Sequence, residues 1–194
     1  PEVQSFLGEE YFYFRDANWD PDFYSTSQRL SWFIKESLNQ PVDGVMAINY
    51  NLIKDLLALI GEVSLGSGED DQRGEVINSW NLYNRLELTA TEGGESDQGD
   101  FSVELLGAIF RQLDKLNDQE KNQFFEIFYQ AFRSQQASLY LADKELSGVV
   151  GQLGWAGTLT SPQCPGGFSQ DCLTDQVYQV EANIGVNKVN PYIN

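Results

Sequence analysis

Four oxygen-bearing side chains stand at alternate positions near the start of the chain, which is the spacing found in the first half of a calcium-binding loop. They are Asp16, Asn18, Asp20 and Asp22. In such loops, oxygens at alternate positions turn inward onto the cation. Pro21 occupies the sixth position, where these loops carry glycine, and Ser27 occupies the twelfth, where they carry a bidentate glutamate. The segment is therefore not an EF-hand.

Two interpretations of this acidic segment are open. In the first, the four oxygens form a partial Ca²⁺ or Mg²⁺ site. In the second, which is the commoner use of such residues, Asp16 and Asn18 shape an Asx-type turn and Asp22 caps the following helix. Arg15 directly precedes the segment and would pair with Asp16 or Asp43, or meet an anionic ligand.

Composition excludes several classes of function. The chain has 194 residues, which fits one domain, here 1–194, and 41% hydrophobic content is enough for a core. Its net charge of −17 disfavours nucleic acid and anionic membrane surfaces, because phosphate binding needs clustered Lys and Arg. The absence of histidine removes Ser-His-Asp and Cys-His catalysis and His-containing zinc sites. Any acid–base chemistry would fall to Asp, Glu, Lys or Tyr.

Two cysteines bear on the compartment in which the protein works. Cys164 and Cys172 are separated by seven residues, which allows either a small disulfide loop or two free thiols. A disulfide, the favoured state, would indicate an oxidising compartment. No stretch is long and apolar enough to span a bilayer, and no signal peptide is visible. Because the chain starts at Pro1 rather than Met, we expect it to be a piece of something longer.

The first third of the chain alternates predicted strands and helices. This order favours an α/β layer with at least partly parallel strands. Apolar runs predict the strands, helical spacing of apolar residues predicts the helices, and Gly61 is expected to stop the second helix. The predicted elements are a buried strand over 10–15, a helix from about 24 to 39, a strand over 42–48, a helix from 51 to 60 and a short strand over 62–65.

The remainder is predicted to be mainly helical. We expect the acidic, Gly-rich stretch 89–100 to be an exposed, mobile loop, because it contains no hydrophobic anchor. The four tryptophans are expected in the core or at its rim. Helices are predicted over 76–88, over 102–116, from about 118 onward and over 144–153, and strands over 137–141 and 174–182. Arg29, Arg85 and Arg111 are candidates for an anion pocket, although each is more often a solvated helix charge.

Five strings of residues resemble a family of bacterial cell-envelope proteins known as domain of unknown function 4012. In chain order these strings are RDANWDPDF, PVDGVMAINYNLIKDLLALIGEV, LGAIFRQL, GWAG and EANIGVNK. The resemblance covers most of the chain, from about Tyr11 to Lys188. It implies an extracytoplasmic protein of the bacterial envelope or cell surface, whose parent is anchored in the membrane by a helix that precedes this sequence.

The same order of elements is similar to the LytR-CpsA-Psr group of envelope phosphotransferases. That likeness implies a three-layer α/β/α sandwich with a mixed sheet. It also implies Mg²⁺ chemistry on polyprenyl-pyrophosphate-linked glycans, for which the group uses an acidic pair and several arginines. Carried over to this chain, Arg15 would hold the pyrophosphate, and Asp16 with Asp20 or Asp22 would hold the metal. The nearest counterparts of the other ligand-binding positions are Asp43, Arg85 and Arg111.

Three functions compete on this sequence. The leading hypothesis is a non-catalytic envelope or surface module that binds a partner protein, a glycan or a divalent cation, since the surface is acidic, histidine is absent and the arginine set is incomplete. The second is an Mg²⁺-dependent phosphotransferase, or glycopolymer ligase, in which Arg15 and Asp16 act on the substrate and no histidine base is needed. The third is a subunit of a surface filament or layer.

Overall fold

A computed structural model describes residues 13–14, 17–18, 20–66, 75–92, 95–159, 164 and 177. The chain divides into two compact units. One comprises Pro1–Met46 and Ser138–Ile184, and the other comprises Ala47–Ala137 and Gly185–Asn194. We refer to them as unit 1 and unit 2.

The described residues form a mixed α/β structure with six helices and four short strands. None of these helices is both long and apolar enough to cross a membrane. In chain order the elements are α1 (Phe23–Leu38), β1 (Gly44–Ile48), α2 (Tyr50–Ile60), β2 (Val63–Ser64), β3 (Val76–Ile77), α3 (Leu82–Glu92), α4 (Glu95–Leu113), α5 (Asp118–Arg133), β4 (Ala137–Leu141) and α6 (Lys144–Gln152).

Both strand pairs of the described residues are antiparallel. β1 pairs with β4. The N–H of Asn49, just after β1, donates to the carbonyl of Gln136, just before β4, and the N–H of Ala142, just after β4, donates to the carbonyl of Asp43, just before β1. The end of each strand therefore lies beside the start of the other, as in an antiparallel pair. β2 pairs with β3 in the register Val63 to Ile77. The sequence predicted the α/β class, and this is confirmed. It also predicted parallel pairing, and neither described pair shows it.

The core of unit 2 lies where α2 packs against α4 and α5, while α4 also packs against α3 and β2. Helix α2 contributes one side of this core because its apolar side chains recur at helical spacing and so share one face. Side chains that lie almost fully out of contact with water in this core are Leu52, Leu57, Val63, Ile77, Leu82, Leu105 and Ile109.

Helix starts are fixed by side-chain caps that the sequence carries. The Asn49 side chain accepts a hydrogen bond from the Leu52 N–H at the start of α2. Asn117 and Glu120 form a reciprocal capping box at the start of α5. Asp143 caps α6. Together with β1 and β4, these three helices lie within a few residues of their predicted positions, so those predictions are confirmed.

The predicted first strand is wrong for the two of its residues that the structure describes. Tyr13 lies outside any regular element and Phe14 is in a short 3-10 turn. The Phe14 side chain is 53% exposed and meets Phe33 edge-on, with ring centroids 6.0 Å apart. Phe14 therefore lies against a helix rather than inside a sheet.

Two predicted boundaries in unit 2 are also wrong. Residues 76–77 form a strand, and α3 starts only at Leu82. The Asn78 and Asn81 side chains each accept a hydrogen bond from the backbone N–H of the other residue, and such local bonds compete with helix formation. The predicted loop over 89–100 is helical at 89–92 and 95–100. Extending a helix from a buried segment such as that around Leu105 costs far less than starting one, so polar flanking turns can join it.

Several predicted features lie outside the described residues. They are Arg15, Asp16, Cys172, the strand over 174–182 apart from Val177, and the EANIGVNK string; Val177 itself lies in no regular element. The disulfide between Cys164 and Cys172 therefore stays a prediction.

Candidate functional site

The start of α1 is fixed by the carboxylate of Asp22. One oxygen accepts a hydrogen bond from the Ser25 N–H at 2.7 Å, which is the usual N-cap interaction. The other accepts one from the Leu159 N–H at 2.9 Å. Burial alone would raise the pKa of Asp22, but the hydrogen bonds from Ser25 and Leu159 outweigh it and hold this pKa below its usual value. The predicted capping role of Asp22 is confirmed.

Asp20 holds the turn that leads into α1. Its Oδ1 accepts from the Asp22 N–H at 3.0 Å, which is an Asx-type turn. Its Oδ2 accepts from Arg29 Nη2 at 2.8 Å, and its backbone carbonyl accepts from the Thr26 hydroxyl at 3.0 Å. Asp20 thus ties the turn to the second turn of the helix.

The two described carboxylates of the predicted metal set are already engaged within the protein. Each of the four oxygens of Asp20 and Asp22 accepts a hydrogen bond. Asn18 lies exposed in a turn, and Asp16 lies outside the described residues. Within the described part of the chain, no group of three or more Cys, Asp or Glu side chains is placed to hold a metal ion. The Ca²⁺ or Mg²⁺ site stays a prediction that depends on Asp16.

A return segment after α6 completes this region of unit 1. Gly154 ends the helix with a φ of 74°, a left-handed conformation that glycine adopts without a steric cost. Trp155 then donates its N–H to the Val150 carbonyl at 3.1 Å and accepts from the Leu139 N–H at 2.9 Å. These bonds direct the chain back along β4.

The return segment reaches the first turn of α1. Gly157 accepts a hydrogen bond from the Phe23 N–H at 3.1 Å, and Leu159 donates to Asp22 as described above. A side chain at Gly157 would lie 2.7 Å from the Ser138 hydroxyl and 3.0 Å from Phe23 Cβ. Two of the strings noted in the sequence, RDANWDPDF and GWAG, therefore meet at the start of this helix.

An open pocket lies along one face of α1, with a volume of about 570 Å³. This volume is within the range of about 300–1,000 Å³ typical of small-molecule sites. The Trp32 side chain is 56% exposed and contacts Phe33 edge-on at 5.0 Å. We call this feature the α1 pocket, and its lining residues are Ser25, Gln28, Arg29, Trp32 and Phe33.

Chemically, the α1 pocket combines a flat apolar surface with hydrogen-bonding groups. Trp32 offers an indole face, Ser25 a hydroxyl group and Gln28 an amide that both donates and accepts. Arg29 provides guanidinium N–H groups and is held by its ion pair with Asp20. Such a surface can bind a ligand that has both an apolar face and hydroxyl or amide groups.

The other predicted ligand-binding residues have separate surroundings. In unit 2, Arg85 forms an ion pair with Glu75 at 2.6 Å, donates to the Thr89 hydroxyl at 2.7 Å and lies 5.2 Å over the Phe101 ring. Arg111 is exposed in the last turn of α4. In unit 1, Asp43 is exposed in a bend before β1. Arg85 is therefore held by Glu75, Thr89 and Phe101 within unit 2.

Sequence reasoning did not identify Trp32 or Gln28 as site residues. Trp32 was expected in the core or at its rim, but more than half of its side chain is exposed, and Trp80 is 91% exposed. The available signal was the i, i+3, i+4 spacing of Ser25, Gln28, Arg29 and Trp32, which places them on one helix face. That spacing cannot say whether the face is covered.

The pKa of Asp22 leads to a pH-dependent prediction for stability. Because the folded-state pKa lies below the unfolded value of about 3.9, its contribution is present above about pH 4 and is lost as the pH falls through the folded-state pKa. We expect Asp22→Asn to lower the free energy of unfolding by about 1 kcal/mol at pH 7. In urea unfolding at a series of pH values from 7 to 2, the difference in the free energy of unfolding between wild type and Asp22→Asn should become smaller at the acid end.

Asp118→Asn is the matched control for this experiment. Asp118 is also an acidic residue in the first turn of a helix. Its side chain is fully exposed, and its ion pair with Lys121 is long, at 3.7 Å. Asp118→Asn should change the free energy of unfolding less than Asp22→Asn does at neutral pH, and this change should vary little with pH. A difference between wild type and Asp22→Asn that does not vary with pH would contradict the assigned role of the carboxylate charge.

Comparison with known proteins supports one part of the resemblance seen in the sequence. The family model described as "Protein of unknown function (DUF4012)" matches residues 1–90. The match includes α1, the acidic segment before it and the β1–α2–β2 region, and it supports the predicted likeness to the DUF4012 family. No curated protein and no solved structure matches the chain. The likeness to LytR-CpsA-Psr enzymes stays a prediction.

Proposed function

We propose that this protein is a non-catalytic module of the bacterial envelope that binds a glycan in the α1 pocket. The observation that carries this proposal is the exposed Trp32 beside Ser25, Gln28 and Arg29 on one helix face. The extracytoplasmic location is part of the proposal. It rests on the resemblance to the DUF4012 family and on the predicted disulfide.

A glycan fits the chemistry of this pocket. A sugar ring has an apolar C–H face that can stack on an exposed indole, as other flat apolar groups do. Its hydroxyl groups both donate and accept, which matches the mixed hydrogen-bonding groups of Ser25, Gln28 and Arg29. An exposed tryptophan is costly to leave in water, and its burial by a ligand is favourable.

The fixed geometry of α1 also supports a binding role. Binding is stronger when the protein side of a site is ordered before the ligand arrives. The caps at Asp22 and Asp20 and the return segment at Gly157 hold the first turns of the helix. The pocket therefore lies on a rigid element rather than on a loop.

The engaged charges argue for a non-catalytic role. Pyrophosphate chemistry needs convergent cations and a metal held by available carboxylates. Asp20 and Asp22 are used in hydrogen bonds at the start of α1, and Arg85 is bound to Glu75 and Thr89. A surface of net charge −17 also repels such a substrate.

Co-sedimentation with protein-free bacterial cell-wall polysaccharide tests the proposal. The wild-type protein should sediment with the polysaccharide in a saturable way. Trp32→Ala removes the stacking surface, so we expect at least about ten-fold weaker binding, which equals about 1.4 kcal/mol. The apparent dissociation constant, measured over a polysaccharide series, is the readout.

Trp80→Ala is the matched control. Trp80 is an exposed tryptophan in unit 2 and is not one of the residues that line the α1 pocket, so each variant removes one exposed tryptophan. It should bind like wild type. If folded wild-type protein does not sediment, or if both variants lose binding equally, the proposal fails.

Two other functions predicted from the sequence remain alternatives. An Mg²⁺-dependent phosphotransferase, with the three-layer sandwich of the LytR-CpsA-Psr group, would depend on Arg15 and Asp16, which lie outside the described residues. Mg²⁺-dependent binding of a short-chain polyprenyl pyrophosphate that Arg15→Ala abolishes would favour it. A filament or layer subunit would instead show concentration-dependent assembly.

A further inference from the structure

We propose that Asp20 makes the α1 pocket selective for uncharged glycans by neutralising Arg29. This inference rests on the proposed glycan-binding function and adds to it the class of ligand and the residue that determines this specificity. It starts from one contact, the ion pair between Asp20 Oδ2 and Arg29 Nη2 at 2.8 Å.

The ion pair changes what an approaching ligand meets. An isolated arginine beside an indole would attract a carboxylate, phosphate or sulfate, because its planar guanidinium matches such groups. Here the opposite charge of Asp20 lies within 2.8 Å of the cation, so the attraction and repulsion felt by an anionic group largely cancel. The pair still offers N–H donors and carboxylate oxygens to sugar hydroxyl groups.

The ion pair is also held in place. Asp20 is fixed by its bond to the Asp22 N–H and by the bond from the Thr26 hydroxyl to its carbonyl. Its carboxylate therefore lies in one position relative to Arg29. The overall charge of −17 adds a repulsion for anionic polymers that acts at longer range.

Asp20→Asn isolates this role from a general loss of structure. An asparagine keeps the oxygen that accepts from the Asp22 N–H but removes the charge that neutralises Arg29. If Asp20 sets specificity, the variant should gain binding to anionic glycans while Trp32 stays necessary. If Asp20 had only a structural role, binding to every glycan would fall together.

The experiment uses bacterial cell-wall polysaccharide separated by anion exchange into a neutral and an anionic fraction. The full chain is titrated with each fraction at about 50 mM and about 500 mM salt, with circular dichroism as the check on folding. We expect wild type to bind the neutral fraction at least ten-fold more tightly than the anionic one. Asp20→Asn should tighten binding to the anionic fraction at least ten-fold at low salt, and high salt should remove the gain.

Further variants and outcomes separate this inference from the proposed function. The double variant Asp20→Asn with Arg29→Gln should lose the gain, because it also removes the cation that Asp20 neutralises. Wild-type binding mainly to the anionic fraction, through Trp32, would overturn the inference and leave the glycan-binding function standing. Binding to neither fraction would overturn both. A folded Asp20→Asn variant without any gain in anionic binding would overturn the assignment of Asp20.

Discussion

Gly157→Ala should lower the free energy of unfolding by about 2–4 kcal/mol. The φ of 56° at this position is strained for any residue with a Cβ atom. The added Cβ would also lie 2.7 Å from the Ser138 hydroxyl and 3.0 Å from Phe23 Cβ, so neighbouring atoms must move. Urea unfolding followed by far-ultraviolet circular dichroism and by tryptophan fluorescence measures the change.

Gly148→Ala is the control for this substitution. Gly148 lies inside α6 with open space where the Cβ would go. Alanine is the better helix former, so we expect a gain of about 0.5–1 kcal/mol. The opposite signs of the two glycine substitutions are the result to look for. If Gly157→Ala were neutral, the close approach of the return segment to α1 would be in error.

Leu57→Ala should destabilise unit 2 by about 2–5 kcal/mol. Only 1% of the Leu57 surface is exposed, and its helix packs against both α4 and α5. Truncation removes buried methyl groups and leaves a cavity that the surrounding helices fill only in part. Urea unfolding followed by far-ultraviolet circular dichroism measures this loss.

Leu88→Ala is the corresponding control in the same unit. Its side chain is 47% exposed on α3, and surface substitutions usually change the free energy of unfolding by no more than about 0.5 kcal/mol. Comparable losses in the two leucine variants would contradict the position of the unit 2 core between α2, α4 and α5.

Local sequence signals were sufficient for the elements whose starts and ends are encoded nearby. Asn49, Asn117 and Asp143 cap helices through their own side chains, and apolar spacing marked the buried face of α2. The aromatic run before α1 shows the limit of this reasoning. A short apolar segment is compatible with a strand or with packing against a helix, and only a distant partner decides between them.

The α1 pocket could be predicted only in part for the same reason. The spacing of Ser25, Arg29 and Trp32 indicates a shared helix face. Whether that face is covered depends on the rest of the chain, which spacing does not report. The role of Asp20 was also ambiguous, because a carboxylate in an acidic segment can bind a cation, cap a helix or pair with an arginine. In the structure, the side chain of Arg29 lies within hydrogen-bonding distance of Asp20 Oδ2, so that oxygen pairs with the arginine.

The bond between Asp22 and Leu159 has a consequence for biosynthesis. These residues are 137 positions apart in the chain, and the described part of unit 2 lies between them. Because a chain leaves the ribosome from its N-terminus, α1 emerges long before the segment that anchors its first turn. Contacts so distant in sequence form slowly. The described part of unit 2 can therefore begin to fold while unit 1 is still incomplete, and α1 acquires its final anchor only after residue 159 has emerged.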